Sequence, residues 1–270
     1  MLKKILSSLI LCTLLISTLA SCGKGAEKRM KNAEEYIRSN PYTISVSTDF
    51  TAAEGVSSIF AEIATSKTKV YFRGANYHAE NESVINTGED VYYFKTDYTS
   101  VGGTLYKDMS YSENDVPMGD TYSYAAISAE QSLQLAGRLC LIGGVDVDGF
   151  ADSTEIDRSR KALTMRYENA SDEIKAALVG MMNAVSEGVF ESVSVGAAAL
   201  TLSIENDRYS TATLECDYEI TLGGVAYAVT ARVTLSFDYS ESFSISHPVN
   251  ADEYESIDLE NLAILKSRAD

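Results

Sequence analysis

Two long alternating runs, residues 209–222 and 225–239, are separated only by Gly223-Gly224. Two glycines between runs of period two signal a two-residue hairpin, because the turns whose twist matches the strands need positive φ at both central positions. Such a turn fixes the register. Leu222 should face Val225, and then Ile220 Tyr227, Tyr218 Val229, Cys216 Ala231, Leu214 Val233 and Ala212 Leu235. Every one of these pairs is apolar or small. The alternate set sets Thr221, Glu219, Asp217 and Glu215 against Ala226, Ala228, Thr230 and Arg232, and is mostly polar. One face of this hairpin therefore seeks water and the other must be covered.

Other segments join the same sheet. Ala198, Leu200, Leu202 and Ile204 form the inward face of a preceding strand. Near the start, Tyr42, Ile44, Val46 and Phe50 point one way while Thr43, Ser45, Ser47 and Asp49 point the other, the pattern of a half-buried strand. Residues 68–73, 77–87, 91–98, 104–111 and 162–167 are rich in Tyr, Val, Phe and Thr, which suits pleated surfaces.

Three stretches change to helical period. Ala26, Met30, Ala33 and Ile37 share a stripe that Asn40-Pro41 terminates, since the residue before proline is pushed out of the α region. Ser128 with Gln131 three residues on forms a capping-box pattern. The stripe Leu133, Ala136 and Cys140 follows, with Leu135, Leu139 and Ile142 beside it and Gly143 after the last periodic residue. A third helix over 171–187, closed by Gly188, carries Ile174, Ala177, Leu178, Met181 and Val185.

A fifteen-residue strand spans about 50 Å at about 3.3 Å per residue, and a helix of that length about 22 Å. The two later helices cannot roof a wide, flat, one-sided sheet. The sheet must curl around them, which predicts an α+β fold: a curled antiparallel sheet, or incomplete β-barrel, with helices packed on its concave face. Any shortfall in filling leaves a hollow lined by inward apolar residues. The candidates are Leu133, Met181, Leu214, Tyr218, Tyr227, Val229 and Val233.

The beginning of the chain reads as an address. Lys3 and Lys4 precede an apolar run from Ile5 to Ile16 and the small-residue stretch Ser17-Thr18-Leu19-Ala20-Ser21, the pattern of a secretory signal too short to serve as a comfortable membrane span. Leu19-Ala20-Ser21-Cys22 resembles the lipobox of bacterial lipoproteins, which implies that Cys22 becomes the first mature residue and carries a diacylglyceryl group. Two acyl chains suffice for stable membrane attachment where one does not. The expected organisation is a signal peptide over 1–21, an anchor, tether and first helix over 22–41, and a single half-barrel domain over 42–270. The expected location is the cell membrane, lipid-anchored on the extracytoplasmic face.

Charge narrows the partners. The chain carries a formal −17, which becomes −19 once Lys3 and Lys4 leave with the signal. Nucleic acid, bound through Lys and Arg contacts to phosphate, is excluded as a partner. Beside the anchor, Lys24, Lys28, Arg29 and Lys31 stand against Glu27. They either favour anionic lipid headgroups or form a solvated helix face.

Motifs for chemistry are sparse, and the expectation is a protein that is not an enzyme and uses no cofactor. His78 and His247, the two histidines, stand beside no nucleophile and read as surface residues. The supply of zinc ligands is too thin. Asp146, Asp148 and Asp152 in DVDGFAD lack the glycine and glutamate positions of a calcium loop and read as a solvated loop after a helix. Cys140 and Cys216 lie on apolar faces of their elements. They could form a disulfide that pins helix to sheet or remain two buried thiols, with a slight preference for thiols.

The order of parts, an anchored N-terminus, a leading helix, consecutive strands, a central pair of helices, further long strands and the closing segment SISHPVNADEYESI, resembles the LolA-type lipoprotein carriers and their LppX-like anchored relatives. That resemblance implies a lipid or other hydrophobic ligand held between the concave face and the helices, with no catalytic residues. The alternative is an anchored envelope interaction module with a solid core, acting through surface tyrosines and carboxylates.

Overall fold

The computed structural model describes residues 24–52, 66–86, 90–141, 145–159, 161–185 and 189–259. The signal segment, Cys22, Ile142 and the helix-stop glycines Gly143 and Gly188 lie outside the described residues. The elements run α1 (Lys24–Ser39), β1 (Tyr42–Ala52), β2 (Lys67–Arg73), β3 (Asn76–Asn86), β4 (Val91–Val101), β5 (Thr104–Glu113), β6 (Val116–Ala126), α2 (Ala129–Leu139), β7 (Phe150–Arg158), β8 (Ala162–Ala170), α3 (Asp172–Val185), β9 (Ser192–Glu205), β10 (Arg208–Leu222), β11 (Val225–Asp238) and β12 (Glu255–Ser256).

Among the described residues, twelve strands form one sheet in the order β12-β6-β5-β4-β3-β2-β1-β11-β10-β9-β8-β7. Two antiparallel meanders, β1 to β6 and β7 to β11, meet at a β1–β11 seam. Among the described strands, only the short β12 runs parallel to its neighbour. The edges do not meet, so the sheet is a curled, incomplete barrel. The Gly223-Gly224 turn, with φ of 59° and 73°, sets the register read from the sequence: Leu222 pairs with Val225, Tyr218 with Val229 and Leu214 with Val233.

Inward residues line up in rows across the strands. One row runs Thr48, Val233, Leu214, Leu200 and Tyr167 across β1, β11, β10, β9 and β8. Another runs Tyr42, Phe72, Tyr77, Ser100, Leu105 and Ala125 across β1 to β6. Residues near both margins, Ala125 on β6 next to the short edge strand β12 and Phe150 on the edge strand β7, belong to a single apolar core together with the helices. That continuity is the physical content of the curl, and each fully buried Leu or Ile in it contributes about 2 kcal/mol.

The helices line the concave side. On α1, Ala26, Met30, Ala33 and Ile37 are buried, and the Tyr167 hydroxyl donates to Met30 Sδ at 3.5 Å. Helix α2 begins with the complete Ser128–Gln131 capping box, and its Ser132 Oγ meets Ser100 Oγ on β4 at 2.5 Å. Helix α3 buries Ile174, Leu178 and Met182. Cys140 and Cys216 are both buried thiols, with no disulfide between them.

The closing segment crosses the convex face. Lys69 pairs with Glu241 at 3.2 Å, Arg73 donates to the Phe243 carbonyl at 3.0 Å, and the Phe243 ring packs edge-on against Tyr71. Farther along, His247 Nδ1 lies 3.0 Å from the Tyr106 hydroxyl, and the Tyr254 hydroxyl donates to Asp108. Val101, Tyr106 and Tyr254 form a second small core there. The segment is a strap across β2 to β6 that ends as β12. His247 thus has a structural partner, and His78 bonds Thr99 Oγ1 at 2.9 Å.

The DVDGFAD stretch corrects an expectation. Val147–Gly149 form a short 3-10 turn capped by the Asp146 side chain, and β7 starts at Phe150, so Asp152 stands on a strand and accepts a bond from Asn169. Beyond Phe150 the strand is polar and largely exposed on both faces, so it presents no apolar period to the eye. Among the described residues no group of three His, Cys, Asp or Glu side chains could hold a metal ion.

Candidate functional site

A partly open apolar recess lies where the C-terminal half of α3 meets the seam. Its walls are Phe50 on β1, Leu141 just after α2, Met181 and Met182 on α3, Tyr218 on β10, and Ala231 and Val233 on β11. The strand residues reach it because alternation on β1, β10 and β11 turns all four to the concave side. The helix supplies neighbouring methionines, whose unbranched thioethers reshape easily around a guest.

The recess has a volume of about 20 Å³, near the minimum for a single water, and its apolar walls give a water no partners. No charge enters the walls at neutral pH. Burial pushes the Tyr218 phenol well above its ordinary value, and burial likewise pushes the thiol of Cys216, two residues earlier on β10, up to about 11.

Leu141 is the strained member of this set. Its φ is 55°, a left-handed conformation unusual for a bulky residue, held by a bond from its N–H to the Arg138 carbonyl at 2.9 Å. Leu141 directly follows the α2 C-cap Cys140, the position where helices commonly end in this conformation, at a cost of about 1–2 kcal/mol for a residue other than glycine. Here that conformation sets the leucine in the recess wall.

Of the seven residues nominated from the sequence, Met181, Tyr218 and Val233 line the recess. Leu214 and Val229 are fully packed core residues at 2% and 1% exposure. Leu133 is buried on α2 away from the recess walls, and Tyr227 is half-buried against the core near the hairpin tip. Phe50, Leu141, Met182 and Ala231 complete the walls without having been nominated for a pocket; of these, only Leu141 had no periodicity to mark it.

The concave face is not apolar throughout. On the N-terminal meander one cross-strand row reads Val46, Thr68, Asn81, Thr96 and Met109, with Asn81 Nδ2 donating to Thr68 Oγ1 at 3.1 Å. In the adjoining row Lys107 is buried, its ammonium 5.7 Å from the centre of the Tyr98 ring, and burial lowers its pKa. Thr68, Thr96 and Lys107 sit at inward positions of alternating strands, the signal by which the sequence could have marked them.

No protein-family model matches the chain, and no curated protein matches it. Among solved structures, a β-barrel-like protein of a domain of unknown function, DUF1849, from Brucella abortus is similar over 76% of this chain and 100% of its own, at 10% identity and a TM-score of 0.29. An N-terminal dehydratase from the difficidin assembly line is similar over 71% of this chain and 94% of its own, at 8% identity and a TM-score of 0.16. Similarity at this level carries nothing about function, and the resemblance to LolA-type carriers rests on the order of elements alone.

Proposed function

We propose that the protein is a lipid-anchored extracytoplasmic binding protein that takes a hydrophobic ligand, such as an acyl chain, into its half-barrel. The observation that carries this reading is the neutral apolar recess framed by Met181, Met182 and the strained Leu141. The signal-like segment and Cys22 supply the anchor. Magnitudes set the manner of binding. Micromolar affinity corresponds to about 8 kcal/mol, which at about 0.8 kcal/mol per methylene requires about ten buried methylenes. A recess of about 20 Å³ holds roughly one water-sized group. A ligand must therefore displace Met181 and Met182 and follow the seam inward.

A second reading, an anchored interaction module with a solid interior, is favoured by the filling of the core, where Leu214, Val229 and Val233 are each at most 5% exposed. Native mass spectrometry followed by solvent extraction separates the two. The binding protein yields a lipid-sized adduct and takes up a fluorescent fatty acid. Met181→Trp, on the half-exposed rim, lowers that uptake at least tenfold while leaving the circular dichroism unchanged. A bare protein that ignores acyl probes leaves the interaction module. Mass analysis of the mature N-terminus tests the diacylglyceryl group on Cys22.

A further inference from the structure

Residues remote in sequence build a cationic pocket at the anchored end of the molecule. Its walls are Lys28, Arg29 and Asn32 on α1, Lys161 from the turn between β7 and β8, and Asn206 and Asp207 from the turn between β9 and β10, with Gly25 at its rim. The volume is about 390 Å³, within the range of small-ligand sites. Three cations stand against one carboxylate, and that carboxylate is engaged: Asn32 Nδ2 donates to Asp207 Oδ2 at 3.1 Å.

The walls are fastened to one another. Asn206 and Asp207 hold the left-handed conformation of a tight turn, with φ of 51° and 60°, and the Asn206 N–H donates to the Lys161 carbonyl at 2.7 Å. Beside the rim, Arg158 Nη1 lies 3.5 Å from where a Cβ on Gly25 would stand, so the guanidinium occupies space that glycine leaves open; its own partner is Glu155 at 2.6 Å. In a chain with 22 basic and 39 acidic residues, this concentration of positive charge stands out against the rest of the surface.

Position selects the ligand. Gly25 follows Cys22 by three residues, about 10 Å of extended chain. If Cys22 carries acyl chains at the bilayer surface, the pocket cannot be far above the headgroups. The geometry points to a headgroup site: the pocket binds the phosphate of an anionic phospholipid in the anchoring membrane and so fixes which end of the half-barrel faces the bilayer. This inference rests on the reading that Cys22 is the anchor. Lys28 and Lys161 would meet the phosphate as mobile point charges, while the strongly acidic remainder of the molecule is repelled by the same surface.

The test uses the full chain in mild detergent, offered equal amounts of phosphatidylglycerol and phosphatidylcholine and examined by native mass spectrometry. Phosphatidylglycerol should be retained at least fivefold over phosphatidylcholine, and K28E/K161E, which alters two exposed side chains, should abolish that preference. Equal retention of the two lipids, or a preference unchanged in the double variant, overturns the inference. So does tighter binding of inorganic phosphate than of phosphatidylglycerol. Lipid held only in the apolar recess would be indifferent to headgroup and sensitive to Met181→Trp, so failure of the headgroup site and failure of the acyl site give different results. Mass analysis of the N-terminus reports separately on the anchor.

Discussion

Glu34 sits on the buried face of α1 at 7% exposure, with Arg38 Nη2 3.9 Å from its carboxylate. Burial outweighs the arginine and raises its pKa from 4.5 to about 7. The native state therefore holds this proton more tightly than the unfolded chain. The resulting stability is complete below about pH 4.5 and is lost as pH rises through 7, by at most about 3 kcal/mol. Urea titrations of the wild type and Glu34→Gln at pH 5 and pH 8 should diverge by about 2–3 kcal/mol, with the variant the less sensitive to pH; parallel behaviour would remove Glu34 as the cause. Half-buried Asp97 and Asp108, also raised by burial, act alike in both proteins and cancel. The thiols give a second residue-scale test. Cys140 and Cys216 are buried thiols outside any disulfide, so both should resist iodoacetamide in the native protein and react on denaturation. Periodicity placed them on apolar faces, but no spacing in the sequence determines whether two such sulfurs meet. Leu141 was invisible for a related reason, because its role follows from a backbone conformation that leucine does not advertise.

At the scale of elements, legibility followed burial. β10 and β11 could be paired residue by residue because one face is covered along nearly the whole length. The strands that escaped notice, β6 and β7, flank the two margins of the sheet. The first half of β6 is exposed on both faces and contains Pro117 and Gly119, and β7 carries charges and a register shift between Glu155 and Asp157. These are the devices that blunt an edge against unwanted pairing, and they erase the alternation by which a strand is recognised. The basic pocket was half visible: the α1 cations were noted, but their meeting with Lys161 depends on the β7–β8 turn reaching α1. Two substitutions probe the joints between elements. A Cβ on Gly149 would stand 2.2 Å from Ile174 Cγ1 on α3, so Gly149→Ala should cost about 1–3 kcal/mol in urea unfolding through overpacking. Ser128→Ala removes the α2 capping box and should cost about 1 kcal/mol; an unchanged midpoint would deny the cap its role.

The whole molecule depends on what crosses between its halves. Tyr254 joins the strap to Tyr106, Tyr122 and Asp108 on the convex face, so Tyr254→Ala should lower stability by about 3 kcal/mol and accelerate proteolysis within residues 239–254. A variant that unfolds and digests like the wild type would make the strap an ornament of the surface. The β1–β11 seam has a different consequence. Its ladder joins Thr43 to Asp238, and closing a loop of about 190 residues costs about 5 kcal/mol in chain entropy before any partner bond is made. As the chain folds, the first meander can zip early, but its β1 margin stays bare and adhesive until β11, far along the chain, docks on it. Completion of the fold thus waits on the docking of β11, and until then that margin is the surface most open to mispairing.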